Sequence, residues 1–164
     1  MFTVTFVCLG NICRSPMAEA VFKRMIEEDG LAGSVAVNSF GTSDCEEDNP
    51  VYPPVASILK AKEYDFRHRA KMISMGDVKN ADYILVMDSM NLSDLTRKTC
   101  GHYAEKVYLL GHFLPEKIEI DDPWYTRDFT RTYEEIYASC RAFLEYLKDK
   151  HANAFLYDKR HGGN

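Results

Sequence analysis

A chain of 164 residues is long enough for one domain to bury most of its apolar surface without disulfides or a metal. A hydrophobic content of 46% beside 27% charged residues excludes wholesale disorder and fibrous repeats. Twenty Lys and Arg against 25 Asp and Glu leave a net charge of -5, which excludes the broad basic face of a general nucleic-acid binder. Any anion must be caught locally.

In chain order, Phe2, Val4 and Phe6 alternate with Thr3, Thr5 and Val7, predicting a first strand buried largely on both faces. The strand runs into Cys8-Leu9-Gly10-Asn11. Ser15-Pro16 pairs a favoured N-cap with a favoured first helical residue, so a helix is expected to start there. Ala20, Val21, Phe22, Met25 and Ile26 give it an apolar stripe as far as Asp29-Gly30. Residues 35–37 read as a second strand, and 39–54 as a turn-rich loop carrying Asp44, Glu46, Glu47 and Asp48. A short helix is expected over 55–64. Residues 83–87 form the continuous apolar run of a central parallel strand, ended by Asp88. Leu92 and Leu95 suggest a brief helix, and 107–110 a fourth strand. Thr132-x-x-Glu135 reads as a capping box opening a helix through about Lys148.

The alternation predicts a single-domain α/β fold over 1–148, with a parallel sheet and helices on both faces. Ligands then belong at the carboxyl ends of the strands. Residues 149–164 are polar, end in Gly-Gly-Asn, and are expected to form a frayed tail. The apolar runs are too short to span a bilayer, and the amino terminus lacks the basic start of a signal peptide. Five cysteines, at 8, 13, 45, 100 and 140, are odd in number and have no secreted-framework spacing. A cytoplasmic protein with at least one free thiol is expected, with no membrane and no nucleic-acid partner. No C-x2-C pair exists, so no metal site is expected.

The chemistry concentrates in the loop Cys8-Leu9-Gly10-Asn11-Ile12-Cys13-Arg14-Ser15, between the first strand and the first helix. Successive backbone N-H groups there can curl around a tetrahedral oxyanion, and the helix dipole adds positive potential. Gly10 lets the turn close, and Arg14 offers a bidentate fork to two phosphate oxygens. The same field favours thiolate over thiol at Cys8, making it a candidate nucleophile. A phosphate ester also needs its leaving group protonated, which a thiolate cannot do. The acidic residues best placed for this are in Asp121-Asp122-Pro123-Trp124-Tyr125, a loop that returns to the same end of the sheet. Trp124 and Tyr125 would flank a flat aromatic substrate.

The run C-L-G-N-I-C-R-S-P-M-A-E, followed far downstream by D-P-W-Y, resembles the low-molecular-weight protein tyrosine phosphatase family. Further agreement lies at Ser39-Phe40-Gly41-Thr42, Asn49-Pro50, His68-Arg69-Ala70 and Met87 to Leu92. The resemblance implies a four-stranded parallel sheet and a two-step hydrolysis that needs no cofactor. It assigns the nucleophile to Cys8, the oxyanion clamp to Arg14 and the proton donor to Asp122, with Asp121 as its neighbour. Asn11 and Ser15 would brace the loop and the thiolate, His68 would brace Asn11, and Asp88 would support the same network. Cys13 matches a second loop cysteine that, in similar enzymes, closes a reversible disulfide with the nucleophile. The expected partner is a phosphotyrosine protein, a cognate tyrosine kinase or one of its targets, met by a monomer or weak dimer. Where many members carry an aromatic pocket wall in the 39–54 loop, this chain places Cys45 amid Glu46, Glu47 and Asp48.

Three other readings compete. Protein arginine phosphatases share the loop, but that branch usually carries Thr at the place of Ile12, whose apolar side chain suits a phenyl ring. Arsenate reductases need additional redox cysteines close together, whereas Cys45, Cys100 and Cys140 are far apart in sequence. A non-catalytic phosphate-binding module would need neither a nucleophile nor a proton donor. His102, His112, His151 and His161 have no catalytic neighbour in the sequence and are expected at the surface or in packing.

Overall fold

The computed structural model describes residues 1–155. Four strands form one sheet: β1 (Phe2–Cys8), β2 (Val35–Gly41), β3 (Tyr83–Val86) and β4 (Val107–Leu109). The spatial order is β2-β1-β3-β4, and every neighbouring pair is parallel. The α/β expectation and the four-stranded parallel sheet therefore hold. The long helices are α1 (Arg14–Glu28), α2 (Pro53–Ala61), α4 (Ser89–Thr99) and α6 (Phe129–Lys150), with the short α3 (Met75–Asn80) and α5 (Pro123–Thr126) between them.

Strand periodicity sorts the core into two layers. Val4, Phe6, Cys8, Tyr83, Leu85 and Met87 face a cluster built with α1 and α6, including Met17, Phe22 and Phe143. Val7, Ile84 and Val86 face the other way, onto Ile73, Val78, Ala81 and Leu95 around α3 and α4. Phe143 ties the first layer together, its ring 5.6 Å from Phe22, 5.5 Å from Tyr83 and 5.0 Å from Phe113.

Parallel strands put all four carboxyl ends on one edge, where the loops converge. There β2 runs to Gly41, past the predicted end of the second strand, because Cys8 pairs with Gly41 in register. A Cβ on Gly41 would stand 2.7 Å from the Leu9 carbonyl oxygen and 3.3 Å from Asn11 Cβ. Only a glycine lets the loop after β1 lie against this strand.

Several boundaries differ from expectation. Helix α1 starts at Arg14 with Cys13 at its N-cap and no side chain capping it, so Ser15 and Pro16 lie inside its first turn. The Ser15 hydroxyl is turned toward Cys8 instead. Helix α6 starts at Phe129, one turn before the Thr132 capping box. Asp128 caps it by accepting from the Arg131 N-H at 3.0 Å, and Thr132 Oγ1 only donates back to the Asp128 carbonyl at 3.1 Å. An earlier carboxylate cap wins over a later hydroxyl. The expected fraying from residue 149 is also not what residues 149–155 do. Helix α6 continues to Lys150, His151 accepts or donates at 2.7 Å with the Tyr83 hydroxyl, and Phe155 is buried, its ring 5.8 Å from Phe2. Residues 156–164 of that expected tail, His161 among them, lie outside the described residues.

Candidate active site

Cys8 is the last residue of β1 and is buried, with its Sγ 3.0 Å from Ser15 Oγ. Ser15 Oγ accepts from Asn11 Nδ2 at 2.8 Å, which leaves its proton for the sulfur at 3.0 Å or the Phe40 carbonyl at 3.4 Å. Between them the chain passes through Asn11 in the left-handed region, φ +60°, with its side chain wholly buried. Asn11 Nδ2 also donates to Ser39 Oγ at 3.1 Å. Its Oδ1 accepts from the Lys71 N-H at 3.0 Å and from His68 Nε2 at 2.8 Å. An amide oxygen can only accept, so Nε2 carries the His68 proton.

The chain of contacts ends in a buried carboxylate. Ser39 donates to Glu19 Oε1 at 2.7 Å, His68 Nδ1 lies 3.8 Å from the same oxygen, and Lys23 donates to Glu19 Oε2 at 2.6 Å. Burial pushes His68 below the ordinary imidazole range, against the pull of Glu19 and of the Asn11 bond.

Arg14, 2% exposed, is aimed by three partners. Its Nη1 donates to Asp88 Oδ2 at 2.7 Å and to the Ile120 carbonyl at 2.8 Å, while Nη2 lies 3.6 Å from Asp122 Oδ2. Burial works against its charge, but the Cys8 sulfur and the two carboxylates outweigh it and raise its pKa further. The guanidinium is a permanent cation beside the Cys8 sulfur. Cys13 is the opposite case. Burial first, then the electrostatic influence of Cys8 and Asp122, pushes its thiol up to about 12, so it stays protonated at working pH.

Asp122 caps the short α5 by accepting from the Trp124 N-H at 3.0 Å through Oδ1, leaving Oδ2 on the Arg14 side. A cavity of about 250 Å³ lies at this edge, lined by Cys8, Leu9, Gly10, Ile12, Cys13 and Arg14 from the first loop. Cys45 and Glu46 come from the loop after β2, and Asp122, Trp124 and Tyr125 from the cap and body of α5. Tyr52 packs behind Trp124 with rings 5.1 Å apart, and its N-H donates to the Ile12 carbonyl at 2.9 Å. Among the described residues no three His, Cys, Asp or Glu side chains are placed to hold a metal ion. Among the same residues no helix is long and apolar enough to cross a membrane.

Residues 3–153 match the profile of the family described as low molecular weight phosphotyrosine protein phosphatase. This chain belongs to that family. The human member of the low molecular weight phosphatases is 42% identical over 151 residues, taking in 87% of this chain and 94% of its own. The crystal structure of YfkJ from Bacillus subtilis superposes with a TM-score of 0.89 at 30% identity, covering 92% of this chain and 97% of its own. The Drosophila arginine phosphatase structure also superposes, with a TM-score of 0.81 at 32% identity over 88% of this chain and 97% of that one.

For this low molecular weight phosphatase, the residues singled out in the sequence fall into two groups. Cys8, Leu9, Gly10, Ile12, Cys13, Arg14, Asp122, Trp124 and Tyr125 line one cavity, while Asn11, Ser15, His68 and Asp88 stand behind it. Asp121 is exposed and does not line the cavity. Glu19, Tyr52 and the Ile120 carbonyl escaped sequence reading. A signal for Glu19 existed, since a lone carboxylate inside the run Pro16-Met17-Ala18-Glu19-Ala20-Val21-Phe22 is on a face that must be buried. The Ile120 contact is made by backbone, which carries no side-chain signal at all.

Proposed function

We propose that this phosphatase hydrolyses phosphotyrosine in proteins through a phosphocysteine intermediate on Cys8. The observation that carries the reading is the convergence of the Cys8 sulfur, the Arg14 guanidinium and the Asp122 carboxylate on one cavity with an aromatic wall. The phosphoryl group would sit against the uncapped start of α1, where backbone N-H groups of residues 9–14 are available to its oxygens. Arg14, held flat by Asp88 and the Ile120 carbonyl, meets the equatorial oxygens.

In the first step the Cys8 thiolate forms the S-P bond as the P-O bond to tyrosine breaks, and Asp122 gives its proton to the departing phenolate. In the second, the ionised Asp122 takes a proton from water, the resulting hydroxide attacks phosphorus, and the S-P bond breaks to return the thiolate. Ser15 steadies that thiolate through its hydroxyl. Asn11 and His68 keep the loop in shape, and Asp88 keeps Arg14 aimed. Trp124 and Tyr125 flank the substrate ring, and Ile12 offers it an apolar contact. These parts belong to residues 1–148, which we take as the catalytic unit.

The substrate is a phosphoprotein, in our reading a cytoplasmic tyrosine kinase or one of its targets, met by a monomer or weak dimer. Hydrolysis of a phosphotyrosine peptide, with phosphoarginine alongside and chelator in excess, tests this. Chelator-resistant cleavage that favours phosphotyrosine is expected, and preferential cleavage of phosphoarginine would overturn it in favour of the branch to which the Drosophila neighbour belongs.

Cys8 and Cys13 face the same cavity as free thiols. Peroxide oxidation of Cys8 to the sulfenic acid would remove the negative charge that helps hold Cys13 protonated. Cys13 can then attack, forming the disulfide and releasing water. Peroxide-inactivated enzyme is expected to regain turnover when thiol is added, and Cys13→Ser to regain far less. Equal recovery of both would count against the pairing.

A further inference from the structure

The loops after the two edge strands supply opposite walls of the cavity. The wall on the β4 side is aromatic. Behind it Arg127, in the left-handed region at φ +59°, stacks 5.6 Å from the Trp124 ring, and its Nη1 donates to the Tyr52 hydroxyl at 3.2 Å. The wall on the β2 side is Cys45 and Glu46. Cys45 is small and exposed, so it screens nothing. Glu46 is half-buried and lies along the phosphate loop, its Cγ 3.2 Å from where a Cβ on Gly10 would stand.

Glu46 is held there. Asn49 Nδ2 donates to its Oε2 at 2.6 Å, and the Asn49 N-H donates to its carbonyl at 2.9 Å, closing a turn around the side chain. Its charge reaches the cavity floor, where it adds to the influences that keep Cys13 protonated. A fixed carboxylate of this kind has already lost the rotamer freedom that usually weakens a surface ion pair.

We propose that Glu46 is a specificity-determining residue, selecting peptides with Lys or Arg next to the phosphotyrosine over peptides with Asp or Glu there. The inference rests on the phosphotyrosine reading of the site. With the phosphoryl group at Cys8 and the ring between the walls, the peptide backbone crosses the rim of the cavity. The side chain of the flank on the β2 side then meets Glu46. A cation there is attracted and an anion repelled, and the two effects add in the comparison. Glu46 stands on the β2 side alone, so only one of the two flanks reads it.

The test uses phosphotyrosine peptides that differ only in Lys, Ala or Asp immediately before or immediately after the phosphotyrosine. They are assayed with wild type, Glu46→Gln and Glu46→Lys. Wild type is expected to favour Lys over Asp by about three- to tenfold in kcat/KM at one flank, the size of one exposed charge contrast. The difference should lie in KM rather than kcat and shrink in high salt. Each ratio is taken within one enzyme, so a general loss of activity does not affect it. Glu46→Gln is expected to bring the ratio close to one, and Glu46→Lys to invert it. Equal wild-type rates on the Lys and Asp peptides at both flanks, or a ratio unaltered by Glu46→Lys, would overturn the proposal while leaving phosphotyrosine hydrolysis standing. No turnover on any peptide would overturn the phosphotyrosine reading, and the inference with it.

Discussion

Cys8→Ser is expected to lower turnover of a phosphotyrosine peptide by at least about 10⁴-fold while phosphate still binds. A serine hydroxyl at this position is not ionised at working pH and is a far weaker nucleophile than a thiolate. Its nearest partner is the Ser15 hydroxyl, which already accepts from Asn11. The anion site does not depend on the sulfur, because the N-H groups at the start of α1 and the Arg14 fork remain. Removing the thiolate also removes a like charge from beside a bound dianion, so affinity for inorganic phosphate should be equal to or tighter than that of wild type. Trp124, the only tryptophan in the chain, lines the cavity and provides a fluorescence readout of that binding. A variant that binds phosphate and still turns over at the wild-type rate would remove Cys8 from the chemistry. A wild type that binds but never hydrolyses would make the fold a binding module.

Asp122→Asn is the second large effect, a loss of roughly 10²- to 10⁴-fold on phosphotyrosine, the range associated with a general acid. The substitution isolates the proton. An asparagine oxygen can still accept from the Trp124 N-H and cap α5, so the loop should keep its shape. Tyrosine is a poor leaving group, its phenol having a pKa of about 10, and it needs that proton. An ester whose leaving group departs readily as an anion does not. On such an ester the first step should survive and the loss should fall on release of phosphate, so that a rapid burst of alcohol precedes a slow steady state. An unchanged rate in Asp122→Asn with a collapse in Asp121→Asn would transfer the role to the neighbour, although Asp121 lies outside the cavity.

How much of this was legible in the sequence depended on which force shaped each element. Strands β1 and β3 are buried on both faces, so their apolar runs announced them. The apolar pattern predicts only three residues of β2, because Asn38 and Ser39 interrupt it. In the fold Asn38 accepts from the Thr5 hydroxyl and Ser39 belongs to the network under the loop. Helix α3 carries no periodic signal in the sequence. It has six residues with a glycine at the second, and its only local marker is the reciprocal capping of Ser74 and Asp77. Within the site, residues from the first loop and the Asp-Pro-Trp-Tyr turn were visible as motifs. Glu19, Tyr52 and the Ile120 carbonyl were not, since they act on side chains already chosen and do so across more than one element.

The backbone at Asn11 is left-handed. A non-glycine residue rests there because four hydrogen bonds hold its amide, two given to Ser15 and Ser39 and two accepted from His68 and Lys71. Only Ser15 belongs to the signature run of residues 8–15. Ser39 comes from β2, and His68 and Lys71 from the segment before α3. The cradle is therefore not a portable cassette. Transplanted alone into another strand-to-helix turn, the same eight residues would arrive without the scaffold that fixes their backbone and relax to an ordinary turn.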